Sequence, residues 1–127
     1  MKVYDRGDVV LVSIDFTDGS GSKLRPAVVI SSEEYNRVSP DVLIASITSN
    51  RSALPHPGDH PIREWKAAGL LKPSLAQTKI ATVEAPVIWR KLGALEAEDL
   101  EAFTAGLREA LDLQCPKIDT ESGMEQD

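Results

Sequence analysis

The sequence contains few residues of the types that build disulfide frameworks, metal centres and membrane spans. Its 127 residues include one cysteine and two histidines, with two each of Trp, Tyr and Phe. The single Cys115 excludes an internal disulfide framework and a cysteine-based zinc cluster. No apolar run approaches the roughly 20 residues of a membrane-spanning helix, and the first residues lack an apolar signal segment. We therefore expect a cytoplasmic protein without membrane contact.

Negative charge is concentrated at one end of the chain. The net charge is −6, yet residues 96–127 hold ten acidic and two basic side chains, or −8. The preceding residues hold twelve basic and ten acidic side chains, or +2. The acidity of the whole chain therefore does not exclude a nucleic-acid partner for the preceding part. The length suits one domain, predicted at 1–113, with an acidic, disordered tail at 114–127.

The hydrophobic pattern changes from strand-like to helical after Gly93. Short apolar or alternating runs predict five strands, at 7–16, 27–31, 41–48, 74–83 and 87–91. Between them we expect loops at 17–23 and 49–61 and a turn at 35–40, while 62–69 is ambiguous. Leu100, Phe103, Leu107 and Leu111 then form a helical stripe that Pro116 ends. This order predicts a mainly β protein, a small β-barrel or curled sheet with a C-terminal α-helix packed on it.

Most familiar catalytic signatures are missing. The chain has no glycine-rich phosphate loop, no Gly-x-Ser-x-Gly elbow and no His-Glu-x-x-His. Cys115 has no histidine near it in sequence, which favours an incidental thiol. His56 and His60 lie in a proline-rich loop rather than on a helix, so we interpret them as solvated side chains and expect no metal site and no cofactor.

Two positions suggest an anion site. Arg25 stands where the first loop meets an apolar strand, just before Pro26, and there a guanidinium can clamp a phosphate at two points. The alternative is a surface ion pair with a carboxylate. Thr48 closes the third strand and Ser49 follows it; hydroxyls at the end of a strand either bind substrate or serve the local turn.

Several runs of the sequence, taken in order, resemble the MazF/PemK family of toxins from bacterial type II toxin–antitoxin systems. The resemblance covers residues 5–112, and its specificity comes from the distances that separate its motifs. The runs that carry it are Arg6–Val12, Gly19–Ser20, Leu24–Ser31, Ile44–Ser49, Ala68–Gln77 and Arg90–Leu95.

The resemblance implies an SH3-like barrel of the CcdB/Kid/MazF type, a homodimer and a cognate antitoxin. It also implies a metal-independent endoribonuclease that cuts single-stranded RNA at a short sequence, leaving a 2′,3′-cyclic phosphate and a 5′-hydroxyl. The family's catalytic arginine and threonine fall on Arg25 and Thr48. An attacking 2′-hydroxyl belongs to the RNA itself, so the protein supplies geometry and charge stabilisation.

Further RNA contacts are expected around these two residues. Ser20, Ser22 and Lys23 of the first loop can reach phosphates or base edges, although Lys23 is equally explained as a solvated charge. Ser49 follows the catalytic threonine position. Gln77 matches a recurring family position, in which support of the site and a structural role are both open.

Two other functions are compatible with the same fold. One is a non-catalytic toxin or interaction module that binds a protein target, since fold alone does not determine function. The other is a regulator that binds operator DNA together with its antitoxin. The presence of both Arg25 and Thr48 favours the ribonuclease. Trp89 can stack on a base, but packing in the core or a dimer explains it better.

Overall fold

A computed structural model describes residues 3–15, 21–50 and 55–113, in which the strands form one antiparallel sheet. The elements in chain order are β1 (Asp8–Asp15), β2 (Ser22–Val29), α1 (Glu33–Val38), β3 (Asp41–Thr48), β4 (His60–Pro61), β5 (Leu75–Glu84), a 3-10 turn (Ala85–Val87), β6 (Ile88–Ala94) and α2 (Ala97–Leu111). The strand order across the sheet is β4-β5-β3-β2-β1-β6. The predicted mainly β class with a C-terminal helix is confirmed. The proposed tail at 114–127 lies outside the described residues.

Both faces of the sheet are buried, which is why its central strands contain runs of apolar residues. Val9 and Val28 point to one face, in a core that includes Phe103 of α2. Val10 and Val29 point to the other face, in a second core formed within the curl of the sheet. Phe103 is fully buried, so the helical stripe read from the sequence is the surface that joins α2 to the sheet.

The structure corrects the predicted second strand and the predicted turn after it. β2 begins at Ser22 rather than at residue 27, so Pro26 lies inside a strand. The segment predicted as a turn overlaps the helix α1, which begins two residues earlier and whose N-cap Ser32 accepts a hydrogen bond from the Tyr35 N–H. Ser32 and the two glutamates after it are a helix-start signal, but six residues are too few to show an apolar period.

The C-terminal helix ends before the proline that was expected to stop it. Asp112 adopts a left-handed conformation, with φ of 57°, and its N–H donates to carbonyls of the last turn. This cap ends α2 at Leu111. Of the two kinds of packing expected for Trp89, the core is wrong, because its side chain is 67% exposed on β6, and packing in a dimer stays a prediction. None of the helices in the described part of the chain has the length and hydropathy of a membrane span.

A buried carboxylate attaches α2 to the segment before β5. Asp99 is 1% exposed. Its carboxylate accepts hydrogen bonds from the backbone N–H groups of Arg63 (2.9 Å) and Glu64 (3.0 Å), and it lies 2.8 Å from Nε2 of His60. His60 is therefore a structural partner and not the solvated loop side chain expected from the sequence. Burial raises the pKa of Asp99, but the hydrogen bonds from Glu64, His60 and Arg63 together hold it below its ordinary value.

A second carboxylate holds the same segment to β5. Asp59 accepts hydrogen bonds from the backbone N–H of His56 (2.8 Å) and from the N–H and hydroxyl of Thr78 (2.8 and 3.2 Å). Burial raises its pKa and these hydrogen bonds outweigh burial, so the pKa is again lowered. Asp59 and Asp99 thus fix a segment that contains little regular structure between two elements of the core.

Asp99→Asn should reduce the free energy of unfolding by about 1–3 kcal/mol at neutral pH, because an amide cannot accept all three hydrogen bonds. A carboxylate with a lowered folded-state pKa stabilises the protein above its unfolded pKa, near 4, and this stabilisation is lost as the pH falls through the folded value. The variant should therefore lose less stability than the wild type on acidification below about pH 4. Urea unfolding at a series of pH values measures both effects.

Glu98→Gln is the matched control, since Glu98 is an exposed neighbour on the same helix turn. It should leave stability close to that of the wild type. An Asp99→Asn variant as stable as this control would contradict the anchoring role.

Candidate active site

A proline ends the hydrogen-bond ladder between two central strands. β2 pairs with β1 from Ser22 to Val28 but with β3 only at Ala27–Val29. The Ile30 N–H donates to the Leu43 carbonyl at 2.9 Å, and in an antiparallel ladder such bonded pairs recur at every second residue. The next pair in this pattern is Val28–Ala45, and the one after it requires an N–H at position 26 to donate to the carbonyl of Ile47. Pro26 has no N–H, so this bond cannot form.

The two residues that the sequence singled out lie where this ladder stops. Ala27 pairs with Ser46, and the same register continued by two residues puts Arg25 opposite Thr48. Both residues line the same two adjacent cavities. The end of the ladder therefore leaves an open space between β2 and β3 with a guanidinium on one side and a hydroxyl on the other.

The smaller cavity is polar and has a volume of about 250 Å³. Arg25 and Lys79 give it two positive charges, and Gln77, which is 6% exposed, contributes a buried amide. None of the described residues that line it is acidic. The complete lining is Arg25, Pro26, Ser46, Ile47, Thr48, Asn50, Gln77 and Lys79. These groups offer several donors to an anion of phosphate size.

The larger cavity, of about 480 Å³, adjoins the first and has an apolar floor. Leu11 and Leu92 contribute to that floor, and the charged residues of its lining are Arg25, Lys72 and Arg90. Here too, no acidic side chain belongs to the lining formed by the described residues. Ser49 also lines this cavity. Each cavity is therefore lined by one of the predicted RNA-contacting residues, Gln77 in the smaller and Ser49 in the larger, together with Arg25 and Thr48.

The Thr48 hydroxyl is held by the local backbone. Its oxygen accepts a hydrogen bond from the Asn50 N–H at 3.1 Å. This contact uses one lone pair, and the hydroxyl keeps its proton for donation to a ligand. The Thr48 side chain can therefore stabilise the local turn and also bind a ligand at the site.

Arg25 does not take part in the ion pairs found among the described residues. Lys91 lies 3.2 Å from Asp8 and Arg37 lies 2.8 Å from Glu33, whereas Arg25 is exposed with no such carboxylate partner. The alternative interpretation of Arg25 as half of a surface ion pair is therefore not supported in the described part of the chain. β2 directs its guanidinium to cavities whose charged lining residues, among those described, are all positive.

The remaining predicted contacts lie elsewhere. Ser22 and Lys23 are exposed at the start of β2, paired with Asp15 and Ile14 of β1, and line neither cavity. Ser20 lies outside the described residues. The acidic helix α2 contributes no residue to either lining, so its negative charge is separated from the site. The described residues contain no group of three or more His, Cys, Asp or Glu side chains that could hold a metal ion.

Sequence reasoning missed three cations at the site. Lys79 follows Gln77 by two residues on β5, so strand alternation was a usable signal for it. Arg90 lies in a run that carried the family resemblance, but nothing in its spacing related it to Arg25. Lys72 belongs to a segment without periodicity, and only the folded chain brings it to the larger cavity.

Pro26→Ala should restore an amide that pairs with Ile47 and extend the ladder by one step. The new hydrogen bond should raise the free energy of unfolding by about 1 kcal/mol. Loss of the proline ring also raises the conformational entropy of the unfolded chain, which lowers the free energy of unfolding by a similar amount, so stability should change little. The direct measurement is amide hydrogen exchange by NMR, where the new amide at position 26 should exchange slowly. In Pro73→Ala, a control in an exposed loop, the new amide should exchange fast. Fast exchange at position 26 would contradict the proposed cause of the opening.

Comparison with known proteins agrees with this architecture. The sequence model of the family described as PemK-like, MazF-like toxin of type II toxin–antitoxin system matches residues 5–111. No curated protein sequence matches the chain.

Solved structures with the same fold include an endoribonuclease in complex with its cognate antitoxin from Mycobacterial species, at 21% identity and a TM-score of 0.69, covering 89% of this chain and 99% of that one. A MazE–MazF complex from Deinococcus radiodurans has 21% identity and a TM-score of 0.71, covering 89% and 100%. The Mycobacterium tuberculosis toxin MazF-mt6 has 20% identity and a TM-score of 0.66, covering 84% and 99%. The family match spans most of the chain, which therefore belongs to the PemK-like, MazF-like toxins of type II toxin–antitoxin systems.

Proposed function

We propose that this protein is a metal-independent endoribonuclease that cleaves single-stranded RNA at a short sequence. The observation that carries the proposal is the joint presence of Arg25 and Thr48 at two cavities whose described charged residues are all cationic. A phosphodiester is a ligand that suits such a site. The similar fold of solved endoribonucleases supports the same conclusion.

The reaction needs no nucleophile from the protein. The 2′-oxygen of the RNA attacks the adjacent phosphorus, a bond forms between them, and the bond from phosphorus to the 5′-oxygen breaks. The 2′-hydroxyl passes its proton to solvent water, and the departing 5′-oxygen takes up a proton from water. The products are a 2′,3′-cyclic phosphate and a 5′-hydroxyl. DNA has no 2′-hydroxyl and cannot react in this way.

Arg25 and Thr48 then have different roles. A guanidinium keeps its proton in proteins, so Arg25 acts as a clamp: it stabilises the charge growing on the phosphoryl oxygens and donates a hydrogen bond, not its proton, to the leaving 5′-oxygen. The Thr48 hydroxyl, fixed by the Asn50 N–H, donates to the phosphate and aligns the 2′-oxygen for in-line attack. Lys79 adds a second positive charge in the same small cavity.

The other predicted contacts belong to the path of the RNA on either side of this centre. Gln77 and Ser49 line the two cavities, and we propose that they contact the nucleotides next to the cleaved bond. Ser22 and Lys23, at the start of β2, and Ser20, which precedes them in the sequence, would contact more distant phosphates or bases. These contacts would contribute to the choice of cleavage sequence.

We further propose that the protein is a cytoplasmic homodimer, inhibited by a cognate antitoxin that covers the site and, with it, able to bind operator DNA. The solved complexes of similar toxins with antitoxins support the partner. β6 lies at one end of the sheet and presents the exposed Trp89, which supports an interface there. Residues 1–113 would form the toxin domain and 114–127 an accessory acidic tail.

The purified protein, free of antitoxin, should cut a long unstructured RNA in excess EDTA. The fragments should end in a cyclic phosphate and begin with a 5′-hydroxyl, and a single 2′-deoxy substitution at the cleaved nucleotide should abolish that cut. Arg25→Ala should slow cleavage by at least about 100-fold, in the range found when one transition-state donor is removed. Gel analysis measures cleavage by the wild type, its loss on the 2′-deoxy substrate and the slower rate of Arg25→Ala. Enzymatic labelling identifies the new 5′-hydroxyl.

Arg37→Ala is the control, because it removes one exposed positive charge on α1 and should cut at nearly the wild-type rate. A folded wild-type protein that cuts no RNA would favour the non-catalytic toxin that binds a protein target. Cleavage by Arg25→Ala at the wild-type rate would show that the site lies elsewhere.

A further inference from the structure

The larger cavity has the composition of a pocket for a flat, partly apolar ligand. Its volume of about 480 Å³ lies in the range of small-molecule sites, and Leu11, Ile47 and Leu92 form apolar walls. A nucleobase has apolar faces and a polar edge, and single-stranded RNA presents bases that can leave the stack. Because Arg25 and Thr48 line this cavity too, its occupant adjoins the scissile phosphate in the proposed reaction.

One wall of the cavity is the segment 69–72, which a close backbone contact holds against β6. Gly69 has a φ of +86°, and a Cβ on it would lie 2.2 Å from the Leu92 carbonyl oxygen. Only glycine allows this approach between the segment 69–72 and β6. Lys72, in this segment, and Arg90, which pairs with Leu11 in the sheet, both line the cavity. A pocket built on such fixed backbone can discriminate between ligands of similar size.

One apolar side chain of this wall has no part in the core. Leu71 is 93% exposed, although its neighbour Leu70 is 8% exposed and belongs to the core beneath the sheet. Leu71 lines the larger cavity. It is therefore placed to cover one face of a bound base.

The polar lining of this cavity favours acceptors on the ligand. Its charged side chains, Arg25, Lys72 and Arg90, can donate hydrogen bonds but cannot accept them. The hydroxyls of Thr48, Ser49 and Ser74 and the amide of Asn50 can do both and do not discriminate. Bases with a carbonyl edge, guanine and uracil, present acceptors to such a wall. On the corresponding edge cytosine presents its exocyclic amine, and adenine presents its exocyclic amine beside the acceptor N7; a cation that faces either amine is repelled.

Resting on the proposed function, we propose that the larger cavity binds the base next to the cleaved bond and selects guanine or uracil over adenine and cytosine. Arg90 is the specificity-determining residue, because its planar fork recognises carbonyl acceptors with defined geometry. Lys72 neutralises a flanking phosphate, and Leu71 packs on the base. Arg90 is not part of the reacting centre, which Arg25 and Thr48 form.

The first test is cleavage of an RNA library that is randomised around the cut site and sequenced after partial digestion. The wild type should prefer G or U at one fixed position beside the cut. In Arg90→Ala this preference should fall by about tenfold, as expected for loss of one specific base contact. Arg90→Lys, which keeps the charge without the fork, should bind RNA better than Arg90→Ala but should not restore the preference. The control Arg37→Ala should keep the wild-type preference.

The second test does not depend on cleavage. Fluorescence anisotropy compares the binding of 2′-O-methyl oligomers of nine uridines and nine cytidines, which have bases of equal size. The wild type and Arg37→Ala should bind the uridine oligomer more tightly, by about tenfold, and Arg90→Ala should bind both alike. Thermal unfolding checks that Arg90→Ala is folded.

The outcomes separate the two proposals. If the wild type cuts RNA but Arg90→Ala keeps its base preference and its preference for uridine in binding, the assignment of the pocket is overturned while the ribonuclease stands. If no RNA is cut but binding favours uridine through Arg90, the pocket stands and the ribonuclease falls. Equal binding of both oligomers by the wild type, together with cleavage that shows no preference for G or U, overturns the pocket.

Discussion

The candidate site depends on one hydrogen bond that the chain cannot make. The β2–β3 ladder requires an N–H at position 26, and Pro26 does not have one. β2 nevertheless continues to pair with β1, so the strand stays in the sheet while its other edge separates from β3. Arg25 and Thr48 are therefore held on rigid strands and still face an open cavity. A continuous ladder would occupy this space with backbone hydrogen bonds.

The rest of the fold supports this opening and keeps negative charge out of it. Asp59 and Asp99 accept backbone hydrogen bonds and fix the segment before β5 between the sheet and α2. Close backbone contact at Gly69 fixes the wall that carries Lys72. Although the chain is acidic as a whole, α2 lines neither cavity, so the site has a local positive charge that suits a polyanion.

Strong local patterns made much of the fold predictable. The alternation of apolar residues in β1 and the helical stripe through Phe103 predicted the fold class and the packing of α2. The helix α1 was missed because six residues are too few to show a helical period of apolar residues. Pro26 misled the prediction of β2, since the pattern does not reveal that one strand edge is unpaired. Arg25 and Thr48 were found through their local context and the resemblance, but their shared cavities depend on the register between strands.

The central claim is that Arg25 and Thr48 act together on one phosphate. A double-mutant cycle of single-turnover cleavage rates, with Arg25→Lys, Thr48→Val and the double variant, tests it most directly. The account predicts strong coupling, so that the double variant loses much less activity than the product of the two single losses. Losses that multiply to within about twofold would show that the two residues act independently, and would contradict the account.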